Sequence, residues 1–166
     1  AIYNGFLVSG YDRDNSEMTN ELKREGVNIF FDKNYIYQIV PDYFADIIVY
    51  SSAFKPNHPI FNYFKKNDFR LIKRSAFLAE IASSYQVIAI AGTHGKTTIS
   101  CMLAHILKNS GIDCNAFLGG ISKNYKSNIL IGESKIMIIE ADEYDRSFLS
   151  LEPDIGLVSS MDKDHG

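Results

Sequence analysis

The stretch Gly92-Thr93-His94-Gly95-Lys96-Thr97-Thr98 sets two glycines, a lysine and consecutive hydroxyls side by side, and that combination suits the holding of phosphate. Backbone N–H groups of a glycine loop, backed by a helix N-terminus, can surround phosphate oxygens. A Cβ at the glycine positions would collide with the phosphate or with the loop. The lysine neutralises β- and γ-phosphates, and the hydroxyl that follows binds Mg2+. Gly95, Lys96 and Thr97 fill the last three places of the P-loop pattern. Ile90 stands where the usual spacing asks for a small residue, so the loop opens at Gly92 and is shorter. A plain strand–turn–helix connection using Gly92 and Gly95 is the competing reading, but it gives no reason for Lys-Thr-Thr at the helix start.

Two further positions fit the metal half of that chemistry. Glu140 directly follows four apolar residues in "KIMIIE", where a P-loop sheet delivers an acid to Mg2+ or its water shell. A solvated strand end is the alternative, because Asp142, Glu143 and Asp145 are acidic too. His165 falls just past the next apolar run, "GLVSS", on the same predicted edge. A lone histidine is more often a structural or surface residue than a ligand. In the first half, Asp12 ends "FLVSGYD", where Rossmann-like folds often place an acid on a ribose hydroxyl. A cap or turn aspartate is the alternative there.

The elements that must position these groups alternate. Strands are predicted at 5–12, 27–31 and 46–52, with a helix over 18–26 stopped by Gly26. A second helix, 58–67, has proline near its first turn and Ile60, Phe61 and Phe64 at helical spacing. The aromatic run "IFNYF" reads as core rather than as a stacking platform. "FRLIKR" reads as a strand and "SAFLAEIASSY" as a helix capped by Ser75. The rhythm then restarts. "QVIAIAG" is a strand entering the glycine loop, and the next helix has one apolar face of Ile99, Met102, Leu103, Ile106 and Leu107, ended by Gly111. "NILIG" and "KIMIIEA" read as strands joined by the turn "ESK", and "DIGLVSS" as another. This is an α/β chain: a Rossmann-like parallel-sheet domain at 1–84, then part of a P-loop ATPase-type domain at 85–166. A P-loop sheet needs about five strands, and about four are visible after the boundary.

Composition narrows the partners. A net charge of −3, without basic or acidic blocks, gives no general attraction to nucleic acid. No apolar stretch approaches the roughly 20 residues that cross a bilayer. The start "AIYNGFLVSG" lacks a basic segment and a cleavage site. Cys101 and Cys114 are spaced for neither a CxxC pair nor an evident disulfide, and Cys101 reads as a buried thiol. The expectation is a soluble, cytoplasmic chain, cut at both ends.

"GTHGKTT", "EADEYD" and a strand leading to "DH" resemble the Mur ligases, ATP-dependent enzymes that add amino acids to the peptidoglycan precursor. Together "VSGYD", "VYSSAF", "GTHGKTT", "EADEYDRSFLSLEPD" and "MDKDH" occur in family order over nearly the whole chain. They look like the branch joining L-alanine to UDP-N-acetylmuramate. A sister branch, which recycles muropeptides by attaching a tripeptide to the same sugar nucleotide, shares the loop and "EADEYD" but parts after it. The resemblance implies three domains, for UDP-sugar, ATP and amino acid, of which this chain would hold most of the first and half of the second. It implies that Lys96 touches the β- and γ-phosphates and that Thr97 binds one Mg2+. Glu140 and His165 would hold a second metal, and Gly92, Thr93, His94, Gly95 and Thr98 would complete the cradle. His94 would face the substrate carboxylate or pack the loop. Ser51 and Ser52 would line the UDP-sugar cleft or be ordinary strand-end serines. A non-catalytic nucleotide-binding module is the rival of another class, and acid and histidine at successive strand ends argue against it.

Overall fold

The computed structural model describes residues 5–34, 47–54, 57–141 and 151–161. The chain divides into two compact units, Ala1–Ile72 and Lys73–Gly166.

In the first unit, β1 (Ser9–Tyr11) runs parallel to β2 (Asn28–Phe30), with α1 (Glu17–Arg24) between them. The helix starts one residue earlier than its apolar pattern suggests, because Ser16 and Thr19 form a capping box. Ser16 Oγ accepts from the Thr19 N–H at 3.2 Å, and Thr19 Oγ1 accepts from the Ser16 N–H at 2.9 Å. Glu17 in the first turn and Lys23 and Arg24 in the last oppose the helix dipole with the right signs. β3 (Ile48–Tyr50) pairs with β4 (Leu71–Lys73), and α2 (Pro59–Lys66) lies between them in sequence. Pro59 is tolerated there because a first-turn N–H has no helical partner to lose. His58 caps the helix, its Nδ1 accepting from the Ile60 N–H at 3.3 Å. Ile60 and Phe64 are buried, Phe64 meets Phe69 edge-on, and Phe61 meets Tyr50 in the same way, so "IFNYF" is core.

The second unit holds a mixed sheet. Its strands are β5 (Gln86–Ala91), β6 (Asn115–Ser122), β7 (Ser127–Leu130), β8 (Ile136–Glu140) and β9 (Ile155–Val158), in the spatial order β7-β6-β8-β5-β9. All neighbours run parallel except β7, which is antiparallel to β6. Central strands flanked by packing on both faces must be apolar on both, and Met137, Ile138 and Ile139 of β8 are all buried. Their alternation separates two cores. Ile138 joins Ile90, Ala104, Cys114, Ala116, Leu118 and Leu130 on one face; Met137 and Ile139 join Val87, Ala89 and Ala82 on the other.

Each face has its helix. α3 (Arg74–Ala82) contributes Ala82 and Leu78 to the second cluster, which is why it belongs with this sheet. The division between units therefore falls ahead of α3, between Ile72 and Lys73, whereas the sequence reading set it at 84/85. Nor does Ser75 cap this helix: the N-cap is Lys73, without a side-chain bond. On the other face lies α4 (Lys96–Asn109), and its buried line is Ser100 and Ala104, flanked by Ile99, Leu103 and Leu107. Met102 and Ile106, read as part of that face, are 57% and 56% exposed. Small residues at 100 and 104 let the helix sit close to the sheet, which rolls 102 and 106 to the far side. The helix ends at Asn109, and Gly111 at φ 78° turns the chain.

Two strand assignments needed correction. β6 was not foreseen, and with it the second unit has five described strands. β7 pairs with β6, so the turn "ESK" joins two strands that are not neighbours in the sheet. The connection 131–135 instead passes over the start of β6, and two side chains at that end clasp it. Asn115 Oδ1 accepts from the Gly132 N–H at 2.9 Å, and its Nδ2 donates to the Ser134 carbonyl at 2.9 Å. Asp113 accepts from the Glu133 N–H and from Lys108 Nζ at 2.9 Å. Cys114 between them is fully buried, which pushes its thiol pKa up, while Cys101 is half-buried; both thiols are free.

Lys108, and next the Glu133 N–H, hold the Asp113 carboxyl below its ordinary pKa. A depressed folded-state pKa means that the stabilisation is present at neutral pH and lost as pH falls through the depressed value. Asp113→Asn should therefore lower the protection factor of the Glu133 amide at neutral pH towards the value expected of the wild type once its carboxyl is protonated. Hydrogen exchange across that range checks this; an Asn variant as protected as wild type would contradict it.

Candidate functional site

β5 delivers the chain to the loop at the carboxyl edge of the sheet, and α4 leaves from it. Gly92 at φ 126° and Gly95 at φ 83° occupy backbone regions that L side chains rarely adopt. A Cβ on Gly92 would strike Ser159 Oγ and come within 2.9 Å of the Ser160 backbone N and O. Neighbouring β9 closes on the loop here. The Thr93 N–H donates to the Ser160 carbonyl at 3.1 Å, and the His94 N–H to Ser160 Oγ at 2.9 Å. Ser159 Oγ donates to the His94 carbonyl at 2.5 Å and also lies 3.1 Å from the Ala91 carbonyl.

Those bonds spend the amides of Thr93 and His94 on holding the loop shut. The N-cap of α4 is Gly95, which has no side chain to satisfy the first-turn amides. The N–H groups of Gly95, Lys96, Thr97 and Thr98 thus point out of a helix N-terminus without intrahelical acceptors, beside the positive end of the helix dipole. This is an anion site in the physical sense. Lys96 Nζ rests on the Gly92 carbonyl at 2.5 Å, folded back across the loop. His94, Gly95 and Thr98 are exposed, and Lys96 and Thr97 half-buried.

Glu140 ends β8 beside this helix. Its Oε2 accepts from Thr97 Oγ1 at 2.9 Å and its Oε1 from the Gly119 N–H at 2.6 Å. The sequence reading gave Thr97 and Glu140 to different metals; their oxygens are in contact. Neighbouring oxygens in a Mg2+ octahedron at ~2.1 Å lie about 3 Å apart, so this pair fits adjacent places around one hard cation. Among the described residues no group of three or more His, Cys, Asp or Glu side chains is placed to hold an ion. His165 lies outside the described residues, as do Asp142, Glu143 and Asp145.

In the first unit, Asp12 follows β1, is exposed, and its Oδ1 accepts from the Asp14 N–H at 3.0 Å. That is the turn-forming role left open for it. Ser51 and Ser52 follow β3, and the Ser51 carbonyl accepts from the Phe54 N–H at 3.1 Å. Tyr11 and Phe54 lie edge to face at 6.1 Å, which brings the carboxyl ends of β1 and β3 into one neighbourhood.

Sequence reasoning missed Gly119, Ser159 and Ser160. A glycine pair inside an apolar run, "FLGGI", is a signal of close backbone approach that could have found the first. Strand-end serines on the loop's own sheet edge could have found the others.

A largely parallel sheet whose interior strand runs through a glycine loop into an uncapped helix, with lysine, threonine and carboxylate converging there, defines a P-loop-type nucleotide-binding architecture. The model for "Mur ligase family, catalytic domain" matches residues 1–86, just ahead of that loop. The chain belongs to the Mur ligase family. It is 45% identical over 164 residues to the UDP-N-acetylmuramate–L-alanine ligase of Porphyromonas gingivalis, covering 97% of this chain and 36% of that protein. The ligase of the same name from Parabacteroides distasonis is also 45% identical, over 166 residues, with the same two coverages. The chain thus spans about a third of the length of these relatives. Among solved structures, the UDP-N-acetylmuramate:L-alanyl-γ-D-glutamyl-meso-diaminopimelate ligase of Neisseria meningitides superposes with a TM-score of 0.87 at 26% identity. That match covers 98% of this chain and 55% of that one. The UDP-N-acetylmuramate-alanine ligase of Thermotoga maritima gives 0.86 at 24% identity, over 99% and 38%, and confirms the fold. No described helix is long and apolar enough to cross a membrane.

Proposed function

We propose that this chain is part of a cytoplasmic, ATP- and Mg2+-dependent amide ligase of peptidoglycan precursor synthesis, joining L-alanine to UDP-N-acetylmuramate. The observation that carries this reading is the contact of Thr97 with Glu140 at the mouth of the uncapped helix, beside Lys96. The substrate carboxylate attacks the γ-phosphorus and ADP leaves, giving an acyl phosphate. The alanine amine then displaces phosphate, losing a proton as the amide forms. Two anions must meet in the first step, so the protein's task is positioning and positive charge. The first-turn amides of α4 take the phosphate oxygens, and Lys96 leaves the Gly92 carbonyl to neutralise the β- and γ-phosphates. Thr97 and Glu140 would hold Mg2+, with His165 as a further ligand; the cation supplies charge neutralisation between the anions. Gly92, Thr93 and His94 keep the loop's shape through Ser159 and Ser160, and Thr98 offers its first-turn amide. Ser51 and Ser52, with Asp12 beyond its turn contact, would line the side of the first unit that receives the sugar nucleotide.

The 45% identity to two relatives named as L-alanine-adding ligases favours alanine as the amine. Phosphate release by the full-length protein with ATP, Mg2+ and UDP-N-acetylmuramate tests this. L-alanine should support turnover and the tripeptide should not; the reverse preference would overturn the choice of amine, and no turnover with either would overturn the reading.

A further inference from the structure

Gly119 is exposed, yet a side chain there has no room. An ideal Cβ would strike Glu140 Oε2 and lie 3.1 Å from both Glu140 Cδ and Thr97 Oγ1. No apolar core atom is among those neighbours. At Gly120 the only neighbour within 4 Å among the described residues is Thr97 Cγ2 at 3.4 Å, close to ordinary contact. The ladder between β6 and β8 runs from Asn115↔Met137 to Phe117↔Ile139 and stops. Beyond it the Gly119 N–H, which points to the same side as that of Phe117, goes to Glu140 Oε1 at 2.6 Å. The carboxylate thus takes over where the main-chain ladder ends. With Oε1 fixed by a backbone amide, Oε2 is the oxygen turned to Thr97.

We propose that Gly119 is a positioning residue. Its amide orients Glu140, and its missing side chain leaves the space in which Glu140 Oε2 and Thr97 Oγ1 meet to receive the divalent cation. This rests on the Mg2+-nucleotide reading above. A glycine kept for stability would be buried or at a positive φ; Gly119 is exposed and lies within a strand. Glycine inside a strand weakens it, so alanine should be neutral or stabilising for the fold. Function and stability are therefore expected to move in different directions.

The test is Mn2+ binding to the full-length protein with a non-hydrolysable ATP analogue, followed by electron paramagnetic resonance. Gly119→Ala should weaken Mn2+ binding about tenfold or more, because the methyl pushes the Glu140 carboxylate off the Gly119 N–H and so disturbs a ligand's orientation, with the melting temperature unchanged or raised. Gly120→Ala should stay within about threefold, since its methyl meets only the Thr97 methyl. In a Glu140→Ala background, Gly119→Ala should cost nothing further, because the group it orients is gone. Wild-type affinity in Gly119→Ala would overturn the proposal. Failure of the wild type itself to bind Mn2+ with the analogue would instead remove the Mg2+-nucleotide reading, and the proposal with it. Should Gly119→Ala not fold, glycine-selective 15N spectra of soluble variants decide. The Gly119 amide should shift in Glu140→Gln and be broadened by Mn2+; a resonance indifferent to both overturns the assignment.

Discussion

Lys96→Ala in the full-length protein should reduce turnover by about 10³-fold or more while leaving the fold intact. The fold survives because the side chain is half-buried and its described bond, to the Gly92 carbonyl, is made inside its own loop. Losing one such hydrogen bond costs about 1 kcal/mol. Turnover fails because two anions must approach, and a compact ammonium beside the transferring group offsets the charge that moves as the bond to the leaving oxygen breaks. The loss should fall on kcat more than on KM, since the α4 N-terminal amides still bind the ground-state phosphates. Lys96→Arg should not restore activity: the planar fork of guanidinium is wider than the point charge that the loop folds around. Steady-state kinetics with circular dichroism check this, and near-normal kcat in Lys96→Ala would remove the lysine from the chemistry.

Gly92→Ala should cost the loop itself. At φ 126° a Cβ is strained whatever the space, and the space is taken by Ser159 Oγ and by the Ser160 backbone N and O. Backbone strain of this kind costs on the order of 1–3 kcal/mol, before the steric contacts are added. Relaxing it must pull the loop from β9, breaking the bonds that Thr93 and His94 make to Ser160. The expected outcome is a lower melting temperature together with ATP-analogue binding weakened about tenfold or more, read by calorimetry. Adding Ser159→Gly should not rescue the variant, because the main chain of Ser160 still blocks the methyl. Recovery in that double variant would show that side-chain crowding alone requires Gly92.

The βα alternation was legible because each strand is a short apolar run and each helix has local punctuation. Pro59 and Gly111 mark helix limits by backbone chemistry that needs no tertiary partner. The loop was legible for the same reason: Gly92, Gly95, Lys96 and Thr97 are dictated by a ligand, not by packing. Glu140 could be placed because four apolar residues lead to it. What escaped depended on contacts distant in sequence. β6 carries Asn115, Gly119, Gly120 and Ser122, so its strand signal is diluted; it is a strand because β8 and β7 flank it. Asn115 and Asp113 read as loop polars, yet they fasten a crossover that only the sheet order reveals. α3 follows the first half's rhythm unbroken, and nothing local says that Leu78 and Ala82 pack on the later sheet. Ser159 and Ser160 reach the loop across 66 or so positions, a pairing that no spacing rule encodes.

The most direct measurement is a crystal structure of the full-length protein with a non-hydrolysable ATP analogue and Mg2+. The β- and γ-phosphates should sit at the first-turn amides of α4, with Lys96 Nζ moved from the Gly92 carbonyl to a phosphate oxygen and the cation on Thr97 Oγ1. A triphosphate bound elsewhere, with Lys96 still resting on Gly92, would contradict the account.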